Sequence, residues 1–229
     1  MADGGAERGV SRVAAATTVL AAASGVVDLW AVTSLGGPFA GVVTGNLVTV
    51  GGAAGRGEAS AVWPPLVAVL GFALGAAAWA FAWRRQPDAV ARPLIVELVV
   101  LAALAVAWPL TGTAPQGVTV LVLLAVAGFA MGAQSSTALR LGESTTYLTG
   151  TLTGAVVALV TGGSRRRVAG LRQLAALVAG AAVAAVLLRD LRWAVPVLAL
   201  VLVAGALAVL GRPSGRSRLT LTQQTDRPG

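Results

Sequence analysis

Uninterrupted apolar runs, each about the length of a membrane-crossing helix, recur along this chain from near Val13 to Leu210. A helix spans a bilayer with ~20 apolar residues. Within lipid every backbone donor and acceptor must be satisfied inside the protein, which leaves helices or a closed barrel. The runs are continuous and rich in Ala, Leu and Val, without the alternation of a barrel strand, so they read as helices. Charged residues make up only 11% of the chain, against about 25% in a typical soluble domain. The expected class is all-α: a polytopic transmembrane helical bundle.

The chain contains neither Cys nor His. That removes disulfides, thiol chemistry, His-based metal sites and His proton shuttles. The formal net charge is +8, and every basic residue is Arg. These arginines lie in short loops and tails between apolar runs, which points to retention on the cytoplasmic side of a membrane, not to nucleic acid. No Gly-rich loop ending in Lys-Ser/Thr is present, and no GxSxG elbow or carboxylate cluster for divalent metals. The expectation is therefore no enzyme, no cofactor and no metal.

Met1 to Ser11 is polar and mixed in charge. Ala21-Ala-Ala-Ser24 resembles a signal cleavage site, but the apolar run continues past it, so an uncleaved first helix is expected from about Val13 to Leu35. Gly36-Gly37-Pro38 breaks it. A short second helix follows from about Pro38 to Ala54, with Pro38 in its first turn. Trp63-Pro64-Pro65 opens a third helix ending at Trp83-Arg84-Arg85, and Arg92-Pro93 opens a fourth ending near Trp108-Pro109. After the turn 111–116 the order repeats. A long helix runs from about Gly117 to Leu139 and a short one from about Ser144 to Val160. Two further helices cover Val168 to Leu188 and Trp193 to Leu210. The organisation is then an N-terminal tail (1–12), one transmembrane domain (13–211) and a disordered C-terminal tail (212–229). Within the domain, repeat 1 covers about 13–110 and repeat 2 about 117–211.

The case for two homologous halves rests on this order and on a matched pair of polar patches. Thr44-Gly45-Asn46 and Thr149-Gly150-Thr151 stand 105 positions apart (44 to 149), each inside a short apolar helix. Internal duplication recurs in secondary transporters. If all eight helices span, Arg84, Arg85, Arg92, Arg140, Arg189 and Arg192 fall outside the cell. With six crossings and two short, re-entrant Thr-Gly helices, only Arg56, Arg189 and Arg192 do. The second arrangement obeys the positive-inside rule better. It also makes the repeats inverted, because each half then crosses an odd number of times.

Asp28 lies well inside the first helix, where a carboxylate at mid-bilayer costs about 2.5–3.5 kcal/mol and faces a cavity or a partner. It reads as a proton or cation site, or as a structural hydrogen-bonding group. Asn46 and Thr49 share a helix face. Gln134 to Thr137 form a second polar set and Thr145 to Thr153 a third; such groups either glue helices together or line a polar path. The candidate substrate or ion site is Asp28, Thr44, Asn46, Gln134, Thr149 and Thr151. Arg140 and Glu143 suggest an ion pair at a helix boundary, and Arg165 to Arg167 a topology signal. Glu97 is expected near the membrane surface, reaching water or pairing with Arg92 or Arg140.

The spacing of Asp28, Phe39 and Thr44-Gly45-Asn46, with Gly132, Gln134, Arg140, Thr145, Thr146 and Thr149-Gly150-Thr151, resembles the YoaK-like family of bacterial multi-pass inner-membrane proteins, a domain of unknown function. Ser135 stands where that family usually has Asn. The resemblance implies a multi-pass protein of the bacterial inner membrane and supplies no substrate. From the arginines, both termini are expected in the cytoplasm. The expected partners are the lipid bilayer and a small solute or ion, with a homo-oligomer left open and no nucleic acid. The leading expectation is a small secondary transporter or permease with a polar site between the repeats. The alternative is a non-transporting membrane scaffold or partner subunit whose Thr-Gly motifs are packing surfaces.

Overall fold

The computed structural model describes residues 3–142, 148–162 and 165–211, with the backbone alone described at 3–8, 148–149 and 165–169. Among these residues the chain is all-helical: α1 Asp3–Ser34, α2 Val43–Gly55, α3 Ala59–Ala82, α4 Ala91–Leu110, α5 Val118–Arg140, α6 Leu148–Thr161, α7 Arg165–Asp190 and α8 Ala194–Gly211. Six of them, α1, α3, α4, α5, α7 and α8, are long and apolar enough to cross a membrane. The shorter α2 and α6 are not among these spans.

Several helix starts differ from expectation: α3 opens at Ala59, not Trp63, and α7 at Arg165, not Val168. α1 begins at Asp3, ten residues before Val13; Asp3 to Arg12 holds three glycines but no proline to stop the helix. α2 begins at Val43, not at Pro38. Pro38 to Val42 is non-helical, and its backbone amides are held by side chains described below.

Helix directions follow from residue-to-residue contacts. On α1 and α7, Ala14 meets Arg172, Thr17 meets Gln173, and Ala22 meets Gly180, so the two run parallel. On α3 and α5, Gly71 meets Ala125 and Gly75 meets Phe129, again parallel. α1 and α5 oppose each other: Gln134, late in α5, reaches Leu20 and Ser24, whereas Gly36, just past α1, faces Val120 near the start of α5. Trp30 and Trp108 stack edge to face at 5.2 Å near the ends of α1 and α4, so these two helices also run parallel. Trp108 Nε1 donates to Arg192 O at 2.8 Å just before α8, which makes α4 and α8 antiparallel.

The spans therefore form two sets, α1, α4 and α7 in one direction and α3, α5 and α8 in the other. α1 ends and α3 begins at the same end of the bundle, so the segment carrying α2 departs and returns there. The segment carrying α6 does the same at the opposite end, where α5 stops and α7 starts. Arg84, Arg85, Arg92, Arg140 and the Arg165 start of α7 belong to that opposite end, hereafter the basic end. Arg56, Arg189 and Arg192 belong to the other. Arg56 forms an exposed pair with Glu58 at 2.8 Å, holding the Glu58 carboxyl below its usual range. Such a pair adds little to stability.

Close packing comes from small residues. Gly71, Gly75, Gly128 and Gly132 bring α3 and α5 into backbone contact: a Cβ on Gly128 would lie 2.7 Å from Ala68 O, and one on Gly75 or Gly132 would strike Phe129 O or Phe72 O. Gly25 and Gly180 do the same for α1 against α7, at Leu177 O and Ala22 O. Lipid tails are as apolar as Leu, so association within the membrane depends on such contact more than on hydrophobic burial. α1 and α5 are the most enclosed spans. Around them the core gathers Leu20, Val27, Trp30, Leu101, Leu124 and Met131.

Gly132→Ala should therefore lower the thermal midpoint of the detergent-solubilised protein by several degrees, since overpacking costs ~1–3 kcal/mol. Gly205→Ala, where a Cβ meets nothing within 4 Å, should leave it unchanged or raise it slightly. Monodisperse peak height after heating, read by size-exclusion chromatography, checks both.

Candidate functional site

The buried polar groups collect around α1. Asp28 is buried in its last third. Its Oδ1 accepts the Gly41 N–H at 2.6 Å, and the Ala40 N–H also donates to the carboxyl. Asn46, buried in the first turn of α2, reaches back to the same segment. The Phe39 N–H donates to Asn46 Oδ1 at 3.1 Å, and Asn46 Nδ2 donates to Phe39 O at 2.7 Å. This two-way pairing fixes which amide atom is oxygen and which is nitrogen. Asp28 and Asn46 thus grip consecutive peptides of the non-helical run Pro38 to Gly41, where Pro38, Ala40 and Gly41 are buried. Buried non-helical backbone has no helical partner of its own, and each unmet group costs about 1–3 kcal/mol.

Gln134 is fully buried on α5 and binds α1 one turn nearer the basic end. Its Nε2 donates to Leu20 O at 3.1 Å and contacts Ser24 Oγ at 2.8 Å. Gln134 Oε1 has no partner among the described residues. Ser24, which in sequence resembles part of a cleavage site, is thus a contact between two buried helices. Ser135 is also buried, and Thr137 turns its hydroxyl onto Ala133 O in its own helix at 3.1 Å.

The remaining candidates lie apart from these. Thr44 is exposed at the start of α2, and Thr49 donates to Gly45 O at 3.1 Å within the same helix. Thr151, half-buried on α6, rests its methyl against Gly170 of α7. The Thr149 side chain, Glu143, Thr145 and Thr146 lie outside the described residues. The structure therefore brings Asp28 and Asn46 onto one segment and sets Gln134 one turn away. It seats Thr151 in a different contact, between α6 and α7.

Glu143, the partner expected for Arg140, lies outside the described residues, and Glu97 is placed otherwise than expected. Arg140 donates to Trp83 O at 3.3 Å and Gln86 O at 3.0 Å. It closes the C-terminal end of α3, where a cation suits the helix dipole. Glu97 does not reach the surface and does not pair with Arg92 or Arg140. It is fully buried, and neither carboxyl oxygen has a partner among the described residues. Its place on the buried stripe Leu94, Glu97, Leu101, Leu104 and Trp108 follows helical spacing. Distance from Pro93 alone hid that. Thr17 and Gln173, 3.3 Å apart between α1 and α7, form a further buried polar contact, legible only once those helices are paired. Among the described residues no group of His, Cys, Asp and Glu could hold a metal ion.

The family described as Protein of unknown function (DUF1275) matches residues 16–210. The chain belongs to this family. The match spans every element from within α1 to α8, so the YoaK-like resemblance holds across the whole bundle. No curated protein and no solved structure matches. This member of the family is a multi-pass membrane protein whose helices contact the lipid bilayer.

If Asn46 serves as a two-way backbone clamp, Asn46→Asp should be nearly as harmful as Asn46→Leu. The carboxylate keeps the acceptor for Phe39 N–H but sets an oxygen against Phe39 O. Both variants should lose about 1–3 kcal/mol, read as a lower thermal midpoint in detergent. Thr44→Val, at an exposed position, should not.

Proposed function

We propose that this protein is a small secondary transporter of the bacterial inner membrane, built from two inverted halves with a polar path between them. The observation that carries the reading is the opposite sense of the two sets of spans. α1, α3 and α4 run one way, back and the same way again; α5, α7 and α8 repeat that order upside down. Exchanging the halves also exchanges the contacts, α1 on α7 for α5 on α3, and α2 on α3 for α6 on α7. Inverted repeats with discontinuous or short helices beside buried polar groups are a recurrent transporter design. The excess of arginine at the basic end supports a cytoplasmic placement for it, and with it cytoplasmic N- and C-terminal ends. The proposed solute or ion path uses Asp28, Asn46 and Gln134 on one side, and Thr44, Thr149 and Thr151 on the short helices.

The scaffold reading is favoured by one specific observation: the hydrogen-bonding capacity of Asn46, and Gly41 on Asp28, is spent on the protein's own backbone. The two readings separate in proteoliposomes. Purified protein is reconstituted with a pH-sensitive dye inside and challenged with panels of inorganic cations, amino acids and sugars. A transporter gives protein-dependent flux for at least one class, reduced tenfold or more by Gln134→Leu at matched protein content. Absence of protein-dependent flux from every class, with the variant altering only thermal stability, contradicts transport and favours the scaffold.

A further inference from the structure

The interior holds two buried polar groups whose needs are complementary and unmet among the described residues. Glu97 presents two oxygens without a donor, and Gln134 presents Oε1 without one. Both residues are fully buried, on helices that pack against each other, α4 and α5.

Their depth in the bundle agrees. Val26, Val27 and Trp30 of α1 line one narrow seam with Leu101 and Leu104 of α4, and the two helices run parallel. Glu97 precedes Leu101 by four residues, ~6 Å along the axis at ~1.5 Å per residue. The Leu20–Ser24 turn of α1, which Gln134 binds, precedes Val26 and Val27 by about the same distance. Glu97 and Gln134 therefore sit at one level, within about a turn, on two helices that both neighbour α1.

Among the described residues the charges around Glu97 leave no counter-ion for a carboxylate. α8 contains no titratable residue at all, and α5 carries only Arg140, whose guanidinium lies on Trp83 O and Gln86 O. On α1, Asp28 is engaged with Gly41, and the other charged residues, Asp3, Glu7, Arg8 and Arg12, lie in the first turns at the basic end. On α4 itself Arg92 donates to Gln86 Oε1 at 3.3 Å. A dry carboxylate without cation or donor is costly, whereas a neutral carboxyl needs only an acceptor for its one O–H. Two carboxyl oxygens and one amide oxygen are also too few for a hard cation, which takes six or more oxygens.

We infer that Glu97 is a proton-binding carboxyl, neutral at physiological pH, whose O–H is donated to Gln134 Oε1. The proton has a short route from the basic end. An open cavity there is lined by Asp88, Val90, Arg92, Leu141 and Leu210, and Glu97 lies about two helical turns further in. Towards the other end, the seam between α1, α4 and α8 leaves no room for water. Resting on the transporter reading, Glu97 is the group that couples solute movement to protons.

Difference infrared spectroscopy on the full chain in lipid nanodiscs, titrated between acid and alkaline pH, tests the proton site. The protein should carry, at neutral pH, a protonated-carboxyl C=O band that shifts in D2O. The band should vanish in Glu97→Gln and persist in Asp28→Asn. Gln134→Leu should keep it but move it to higher frequency, as for a carboxyl that has lost its acceptor. Glu97→Asp guards against a variant that fails to fold, and should return a displaced band. No such band at neutral pH in the unaltered protein, or a band unchanged by Glu97→Gln, overturns the inference. Dye-loaded proteoliposomes separate the two levels. Protein-dependent flux whose pH dependence survives Glu97→Gln overturns the coupling role alone, and flux absent throughout overturns the transporter reading while the infrared result still decides the proton site.

Discussion

Backbone that leaves the helix inside a membrane protein must find its hydrogen bonds without water. In this chain that requirement falls on Pro38 to Gly41, a largely buried non-helical run between the end of α1 and the start of α2. Asp28 reaches it from the helix before and Asn46 from the helix after. The two side chains substitute for the missing helical partners. They also set the entry of α2, which has no side-chain cap of its own at Val42. α2 packs on α3, which starts at the end of the bundle where α1 stops.

The second constraint is how near two helices come. Glycine at Gly71, Gly75, Gly128 and Gly132 lets α3 and α5 touch through backbone, and Gly25 with Gly180 does so for α1 and α7. These two parallel pairs are the tightest seams in the bundle. The central pair α1 and α5 then meets antiparallel, joined by Gln134 on Leu20 and Ser24. Aromatic edges reinforce the seams, Trp79 against Phe129 at 5.6 Å within one and Trp30 against Trp108 at the meeting of α1 and α4. Most hydroxyls bond to their own helix, as Thr17, Thr137 and Thr161 do, and the polar contacts between helices are carried by Gln134, Arg140, Arg172 and Gln173.

Much of this was legible in the residues. Apolar run length and composition are enough for six spans and two short helices, because hydrocarbon thickness sets span length directly. The asymmetry of the arginines favours the arrangement in which α2 and α6 do not cross, since charge location depends on topology alone. What the sequence hid depends on contacts between distant helices. Asn46 was legible as a polar group needing a partner, but not that the partner would be Phe39's own peptide. Gly71-Phe-Ala-Leu-Gly75 and Gly128-Phe-Ala-Met-Gly132 carry the small-residue spacing of close helix contact, a signal that overall Gly and Ala richness obscures. Glu97 looked superficial because Pro93 marks a helix start. Its heptad-like place on the face of Leu94, Leu101 and Leu104 was the better guide.

α2 leaves and returns at one end of the bundle, which fixes on which side of the membrane each loop lies. The chain has no native cysteine, which allows single-cysteine variants at Arg56, Asp88 and Leu191 to be probed in intact cells and inverted vesicles with a membrane-impermeant maleimide. Arg56→Cys and Leu191→Cys should react from the outside and Asp88→Cys from the cytoplasmic side. Reaction of Asp88→Cys from the same side as Leu191→Cys, with Arg56→Cys on the opposite one, would mean that α2 and α6 cross the membrane, and would contradict this arrangement.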